Sequence, residues 1–369
     1  MIITDQYKIP KDIKTVLVIQ LGDIGDVVWA TPSFRAVKES FPQAHVSVLL
    51  REGAGCLLEA DPCIDKIFEI KQYQGGLFRK LFEQMRFIKA LRQEHFDLVF
   101  DLRSDDRGAF MARLTGAPMR GSLYYQGVPF WRNRLFTHLL IETPPPNERV
   151  LGAAEQSLRI LRGFGIDAKE TVPKLRVSDE VLKKAQEILP SNLCLRSNDN
   201  GGINWITVNP FSRWSYKEWA YHRWAEVINW LWKEYEIAAV IVGAPSEKSK
   251  AAELTHGCSE GVYNLAGMTT LAELAALLSL SALHVGVDSA APHIAAAVGT
   301  PTITIYGPSN WRDWAPVGDQ HRVIVPGMDC VPCQKKGCDG QGRSLCLENM
   351  SIGQVQTAIM RAVSPRQSA

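Results

Sequence analysis

Residues 15–26 read TVLVIQLGDIGD: a six-residue run rich in Val, Leu and Ile (Thr15–Gln20), then a turn holding Gly22, Asp23, Gly25 and Asp26. An unbroken apolar run of that length, ended by glycine, predicts a strand buried on both faces. Apolar residues at helical spacing follow, which predicts a helix from about Val27 to Ser40. The alternation continues with strands at His45–Leu50, Lys66–Ile70 and Asp97–Leu102 and a helix over Gly76–Gln93, where Leu77, Leu81, Met85, Ile88 and Leu91 share one face. Strand and helix taking turns implies a parallel sheet with crossover helices.

The pattern restarts in the second half. Trp205–Asn209, Ile237–Val242, Leu283–Val287 and Thr302–Tyr306 read as strands, and Lys217–Glu234, Glu247–Thr255, Leu271–Ser279 and Asp288–Val298 as helices. Two such runs predict an α/β chain of two Rossmann-like, doubly wound parallel-sheet domains facing each other across a cleft. The linker is expected within Gly165–Lys174, giving domains 1–170 and 171–369, with the C-terminal helix able to pack back on the first. Pro144–Pro146 reads as a rigid loop before a helix over Glu148–Phe164, and Asp199–Gly202 as a turn.

The 369 residues suffice for two domains, and 46% hydrophobic with 22% charged residues excludes disorder and collagen-like repeats. A net charge of +2 gives no overall attraction to nucleic acid. The charge is uneven: 12 Lys and Arg face 6 Asp and Glu within residues 71–134, which suits an anionic partner at one face. No apolar stretch reaches the ~18 residues of a membrane span. Met1–Lys14 lacks the apolar core of a signal peptide, and eight cysteines then point to a reducing cytoplasm.

The Gly22–Asp26 turn stands where a dinucleotide enzyme has G-x-G-x-x-G, but it carries two carboxylates. A carboxylate ~4 Å from a phosphate charge costs about 4 kcal/mol at an effective dielectric of about 20. The turn is therefore unsuited to a pyrophosphate, whereas a carboxylate at a helix start can stay ionised and accept a proton. Both aspartates could instead be plain N-caps. In the second half, four segments follow strands: Asn209–Lys217, Gly243–Glu247, Asn264–Thr269 and Val287–His293. Strand ends of this kind bind ligands in open α/β sheets, and the small residues Ser289, Ala290 and Ala291 leave backbone N–H groups open to an anion.

Val16–Val28 with Thr31-Pro32, Lys217-x-Trp219 with Trp224, and the stretch Val285–Ser289, His293–Ala297, Thr300-Pro301, Tyr306–Pro308 together resemble the ADP-heptose:lipopolysaccharide heptosyltransferases, glycosyltransferase family 9. The Cys330–Cys346 tail is similar to that of the heptosyltransferase III branch. Where the family has Asp-Thr-Gly this chain has Asp288-Ser289-Ala290, which keeps the hydroxyl and adds a methyl group. The resemblance implies a GT-B fold and inverting transfer of heptose from ADP-heptose to an inner-core heptose, with no cofactor or essential metal. It implies Asp26 as general base and Lys217 as the cation on the leaving diphosphate. Donor contacts would come from Ser212, Arg213, Glu247, Met268, Thr269, Asp288, Ser289, Ala290, Ala291 and His293. The basic stretch would orient phosphorylated lipopolysaccharide through Arg103, Arg107 and Arg120, with Arg79, Lys80, Arg132 and Arg134 as further candidates. Phe130 and Trp131 would rest at the membrane, placing the protein peripherally on the cytoplasmic side of a Gram-negative inner membrane.

Cys330-x2-Cys333-x4-Cys338-x7-Cys346 could bind structural zinc, although only the first pair has knuckle spacing; reduced thiols are the other reading. Cys56, Cys63, Cys194 and Cys258 read as isolated, buried thiols. Other functions fitting a βα start are a nicotinamide oxidoreductase, a GT-B-like sugar-nucleotide epimerase and a non-catalytic nucleotide-sugar binder.

Overall fold

A computed structural model describes residues 1–3, 7–71, 73, 75–141, 151–193, 203–338, 340 and 342–363. Pro144–Pro146, Glu148, Cys194, Asp199–Gly202 and the Phe130 side chain lie outside the described set. The chain divides into two compact units, Met1–Arg149 with Ala153–Arg176, and Val150–Gly152 with Val177–Ala369. The division falls after Arg176 rather than at 170/171. Glu170 pairs with Arg35 at 3.4 Å and the Lys174 N–H donates to Thr31 Oγ at 3.1 Å, which ties this segment to the first unit.

Among the described residues the first unit holds β1 (Ile2–Ile3), β2 (Thr15–Gln20), β3 (His45–Arg51), β4 (Lys66–Ile70), β5 (Leu98–Asp101), β6 (Met119–Leu123) and β7 (His138–Leu140). Their order is β4-β3-β2-β5-β6-β7-β1, with every pairing parallel. Val16 to Gln20 are all buried, as the unbroken apolar run requires. The second unit holds β8 (Trp205–Asn209), β9 (Ala238–Ile241), β10 (Val262–Asn264), β11 (His284–Val287), β12 (Thr302–Ile305) and β13 (His321–Ile324), ordered β10-β9-β8-β11-β12-β13 and again parallel. Counted from β2 and from β8, both sheets carry the 3-2-1-4-5-6 order of a Rossmann domain. The order reverses between β2 and β5 in one unit, and between β8 and β11 in the other.

Three expectations are corrected. The single helix over Val27–Ser40 is two, Ile24–Trp29 and Thr31–Ser40. Pro32 has no N–H to continue the first helix but suits the opening turn of a second. The helix expected from Lys217 begins at Tyr221, because residues 215–217 form a separate 3-10 turn and Glu218 is extended. The C-terminal helix, Ile352–Val363, packs in the second unit: Val355 and Ile359 are fully buried in the core that holds Trp219 and Trp224. Those two indoles meet edge to face at 5.3 Å.

Candidate active-site residues in the two units

In the first unit the loops after β2 and β5 lie at the switch point. Asp23 occupies the N-cap position of helix Ile24–Trp29, and Asp26 sits at its third residue, the carboxylate accepting the Asp23 N–H at 2.7 Å. Arg103, from the loop after β5, ion-pairs with the same Asp26 oxygen, and Arg51 holds Asp23 at 2.6 Å. The Asp26 side chain is only 14% exposed. Burial raises its pKa above the usual carboxylate range and outweighs the opposing pull of Arg103. Gly22 is dictated by this packing: a Cβ there would lie 2.0 Å from Asp26 Oδ2.

Sequence reading gave no role to Asp101, the last residue of β5. It is fully buried, Oδ1 accepts the Arg103 N–H at 3.2 Å, and Oδ2 has no hydrogen-bond partner among the described residues. Burial, then the neighbouring Asp105, pushes its pKa up to about 7. The one available signal was an aspartate inside the apolar run DLVFDL.

The acceptor candidates separate. Arg103 and Arg107 share Asp105, at 3.6 and 3.4 Å, beside Asp26. Arg120 does not join them: it lies near the start of β6, at the other end of the sheet, and its guanidinium donates to the Ala117 and Leu135 carbonyls. Arg132 is buried, donating to the Ser104 carbonyl under the same loop, so it supports the loop from inside. Trp131 stacks on Phe110 at 4.9 Å, and Arg79, Lys80 and Arg134 are exposed.

In the second unit Lys217 and Asp288 are brought together: Nζ meets Asp288 Oδ2 at 2.6 Å, with both side chains mostly buried. The Ser212 hydroxyl donates to the Asp288 carbonyl at 3.4 Å, and Ser289 donates to Asn209 Oδ1 at 3.1 Å. These residues span β8 and β11, across the switch point. Helix Ala290–Ala297 starts there, with Ser289 extended at its N-cap position and its hydroxyl on Asn209 rather than on the helix. The first amides thus keep no side-chain cap and can bind an anion. His293, on the first turn, is buried, and its pKa is lowered to about 4, mainly by that burial, so the ring is neutral. Arg213 is exposed beside Trp214.

Glu247 accepts the Ala244 N–H at 2.7 Å, and a Cβ on Gly243 would come within 2.9 Å of its carboxylate. Burial raises the Glu247 pKa. The loop of Met268 and Thr269 is held beside it by the Gly267 N–H on the Gly243 carbonyl, 2.7 Å. Two positioning residues were missed. Asn209 bridges β9 and Ser289, donating to the Val242 carbonyl at 2.9 Å. Glu218 accepts the Ser212 N–H and Lys250 Nζ, each at 3.0 Å. Their signals were the Asn-Pro ending of β8 and an acid next to Lys217.

Among the described residues no group of three or more His, Cys, Asp and Glu is gathered closely enough to hold a metal ion. Cys330 is exposed, Cys333 and Cys338 half-buried and Cys346 buried, all as free thiols. Cys56, Cys63 and Cys258 are only partly buried, unlike the expectation. No described helix is long and apolar enough to cross a membrane.

Two Rossmann-ordered parallel-sheet domains, each with polar side chains at its switch point, define an α/β chain of the GT-B class. The profile of glycosyltransferase family 9 (heptosyltransferase) matches residues 84–342. Lipopolysaccharide heptosyltransferase 3 of Escherichia coli is 30% identical over 302 residues, covering 79% of this chain and 84% of that protein. A family 9 glycosyl transferase from Veillonella parvula superposes with a TM-score of 0.78 at 23% identity, over 96% of this chain and 99% of that one. The E. coli ADP-heptose lipopolysaccharide heptosyltransferase II superposes at 0.73 and 20% identity, over 95% and 98%. The chain belongs to glycosyltransferase family 9, and it is a glycosyltransferase.

Proposed function

We propose that the protein transfers heptose from ADP-heptose to an inner-core heptose of lipopolysaccharide, as a heptosyltransferase of type III, at the cytoplasmic face of the inner membrane. The names of the E. coli relatives support ADP-heptose and lipopolysaccharide as substrates, and the observation that carries the chemistry is the Lys217–Asp288 pair beside the uncapped start of helix Ala290–Ala297. A cation held by a buried carboxylate, next to free backbone amides, offers a diphosphate what a divalent ion would otherwise provide. Ser212 and Arg213 flank that site, Glu247 with Met268 and Thr269 takes the nucleoside, and Asp288, Ser289, Ala290, Ala291 and His293 surround sugar and phosphates. No cofactor or metal takes part.

In the reaction an acceptor hydroxyl oxygen bonds to the anomeric carbon as the bond from that carbon to the ADP oxygen breaks, inverting the centre. The hydroxyl proton passes to the Asp26 carboxylate, and the negative charge leaves on ADP beside Lys217. Burial makes Asp26 a stronger base than an exposed aspartate, against the opposing pull of Arg103 and the Asp23 N–H. Arg107 and Arg103 meet the phosphates of the acceptor.

The test is a screen of ADP and UDP sugars with truncated core acceptors, following nucleoside diphosphate release. ADP-heptose should turn over only with acceptor, and Asp26→Asn should lose about 10²–10⁴ in kcat at unchanged donor affinity. Turnover without acceptor, or an unimpaired Asp26→Asn enzyme, would refute the assignment.

A further inference from the structure

Helix Leu77–Gln93 gathers apolar residues on one face, but among its residues with described side chains only Leu91 is buried. Phe78 and Leu77 are 90% and 79% exposed, and Leu81, Phe82 and Met85 are each more than half exposed. The helix is rooted by its second half, where Phe87 meets Phe68 edge to face at 6.5 Å and Leu91 enters the core. At about 100° per residue the five exposed apolar side chains fill an arc of about 140°, with Arg79 and Arg86 along one border and Lys80 along the other. The whole helix carries Arg79, Lys80, Arg86, Lys89 and Arg92 against Glu83 alone. Beside its second half runs a groove of about 650 Å³ whose lining includes Met85, Ile88, Phe96 and Pro118, with Lys89 and Arg92. Bare apolar surface and cationic edges thus extend from the helix into the groove.

We infer that the first half of helix Leu77–Gln93 docks the enzyme on an anionic phospholipid bilayer, Leu77, Phe78, Leu81, Phe82 and Met85 entering the headgroup boundary. An apolar arc bordered by Lys and Arg is the pattern of a helix lying in a membrane interface, the long cationic stems reaching back to the lipid phosphates. The charge decides against a second copy of this chain: a two-fold contact through this face would set like charges against one another. An anionic bilayer attracts each of them, strengthening binding about fivefold per cation. The inference deepens the peripheral-membrane reading above and rests on it. It assigns Arg79 and Lys80 to lipid phosphates rather than to the acceptor sugar.

Co-flotation of the full chain with vesicles tests it. Vesicles of phosphatidylethanolamine and phosphatidylglycerol at about 7:3 should carry the wild-type protein at ~0.1 M salt, and phosphatidylcholine vesicles should bind it at least about tenfold more weakly. The double variant F78S/F82S should lose at least about tenfold in vesicle affinity, and F78L/F82L should restore most of it. Because these rings are exposed, F78S/F82S should melt like wild type and keep its kcat/KM on a lipid-free, truncated acceptor. Wild type that does not float on anionic vesicles, or F78S/F82S that floats equally well, would overturn the inference. So would a wild-type dimer that F78S/F82S dissociates, since the face would then belong to a second copy. A chain that floats but turns over no ADP sugar would defeat the reaction proposed above and leave this surface standing.

Discussion

Asp26 and Asp101 show how one loop pair sets two carboxylates to different tasks. Asp26 keeps an arginine and a backbone donor, whereas Asp101 keeps backbone donors and, among the described residues, an unpartnered oxygen in the core. Because the Asp101 pKa rises from 3.8 to about 7 on folding, its neutral form stabilises the native state. That contribution is complete below the unfolded pKa and disappears as pH rises through about 7. Wild-type thermal melts should therefore lose more stability between about pH 5 and pH 8 than those of Asp101→Asn, which keeps the acceptor for Arg103 and does not titrate. Equal slopes would show that Asp101 is ionised throughout. For Asp26 the direction gives an acid limb: turnover should fall as pH drops through its raised pKa. Charge reversal separates the arginines. Arg107→Glu should raise the acceptor KM alone, whereas Arg103→Glu should also lower kcat, since Arg103 touches Asp26, the base proposed above. In the second unit, Lys217→Ala leaves the Asp288 charge buried and unpaired, and should cost about 3–5 kcal/mol in denaturant unfolding.

Elements were legible where one local rule governed them. The apolar runs of β2, β4 and β8 lie on the residues where they were expected, Thr15–Gln20, Lys66–Ile70 and Trp205–Asn209. Strands β6, β7, β10 and β13 escaped notice because three to five residues carrying Arg, Ser, His or Asn are too short for a period to emerge. Helix starts were misplaced where a turn intervenes, and that error had chemical weight: it left Lys217 on a helix surface instead of in the 3-10 turn that delivers it to Asp288. Helix Leu271–Leu280 has a readable start. Thr270 Oγ accepts the Glu273 N–H at 3.2 Å, and the Glu273 carboxylate accepts the Thr270 N–H at 2.7 Å. Thr270→Ala should cost about 1 kcal/mol, measured by chemical denaturation, with little change in turnover.

Across the whole molecule, Asp101 and the histidines His284 and His293 carry opposite pH signatures. His284 and His293, buried in and just after β11, are lowered by burial to about 3 and about 4. The unfolded chain protonates them near 6.5 while the native state does not, so their stabilising effect is present above 6.5 and fades as pH falls toward those values. Asp101 in the first unit works the other way. Hydrogen exchange, corrected for intrinsic rates, should show β11 and β12 losing protection relative to β2 and β5 on going from about pH 7.5 to about pH 5. The amino-acid sequence alone determined that two βα runs build two parallel sheets, and that an acidic turn follows strand Thr15–Gln20 in one and small residues follow strand Leu283–Val287 in the other. Burial on both faces and helix punctuation are local patterns that a chain cannot hide. Only the tertiary structure decided which groups meet: Arg103 with Asp26 across 77 positions, Lys217 with Asp288 across 71, Arg120 with the Ala117 and Leu135 carbonyls. It alone decided that the apolar start of helix Leu77–Gln93 faces outward. Those choices follow from strand order, which brings distant loops to one switch point and leaves one helix with more apolar surface than its sheet can cover.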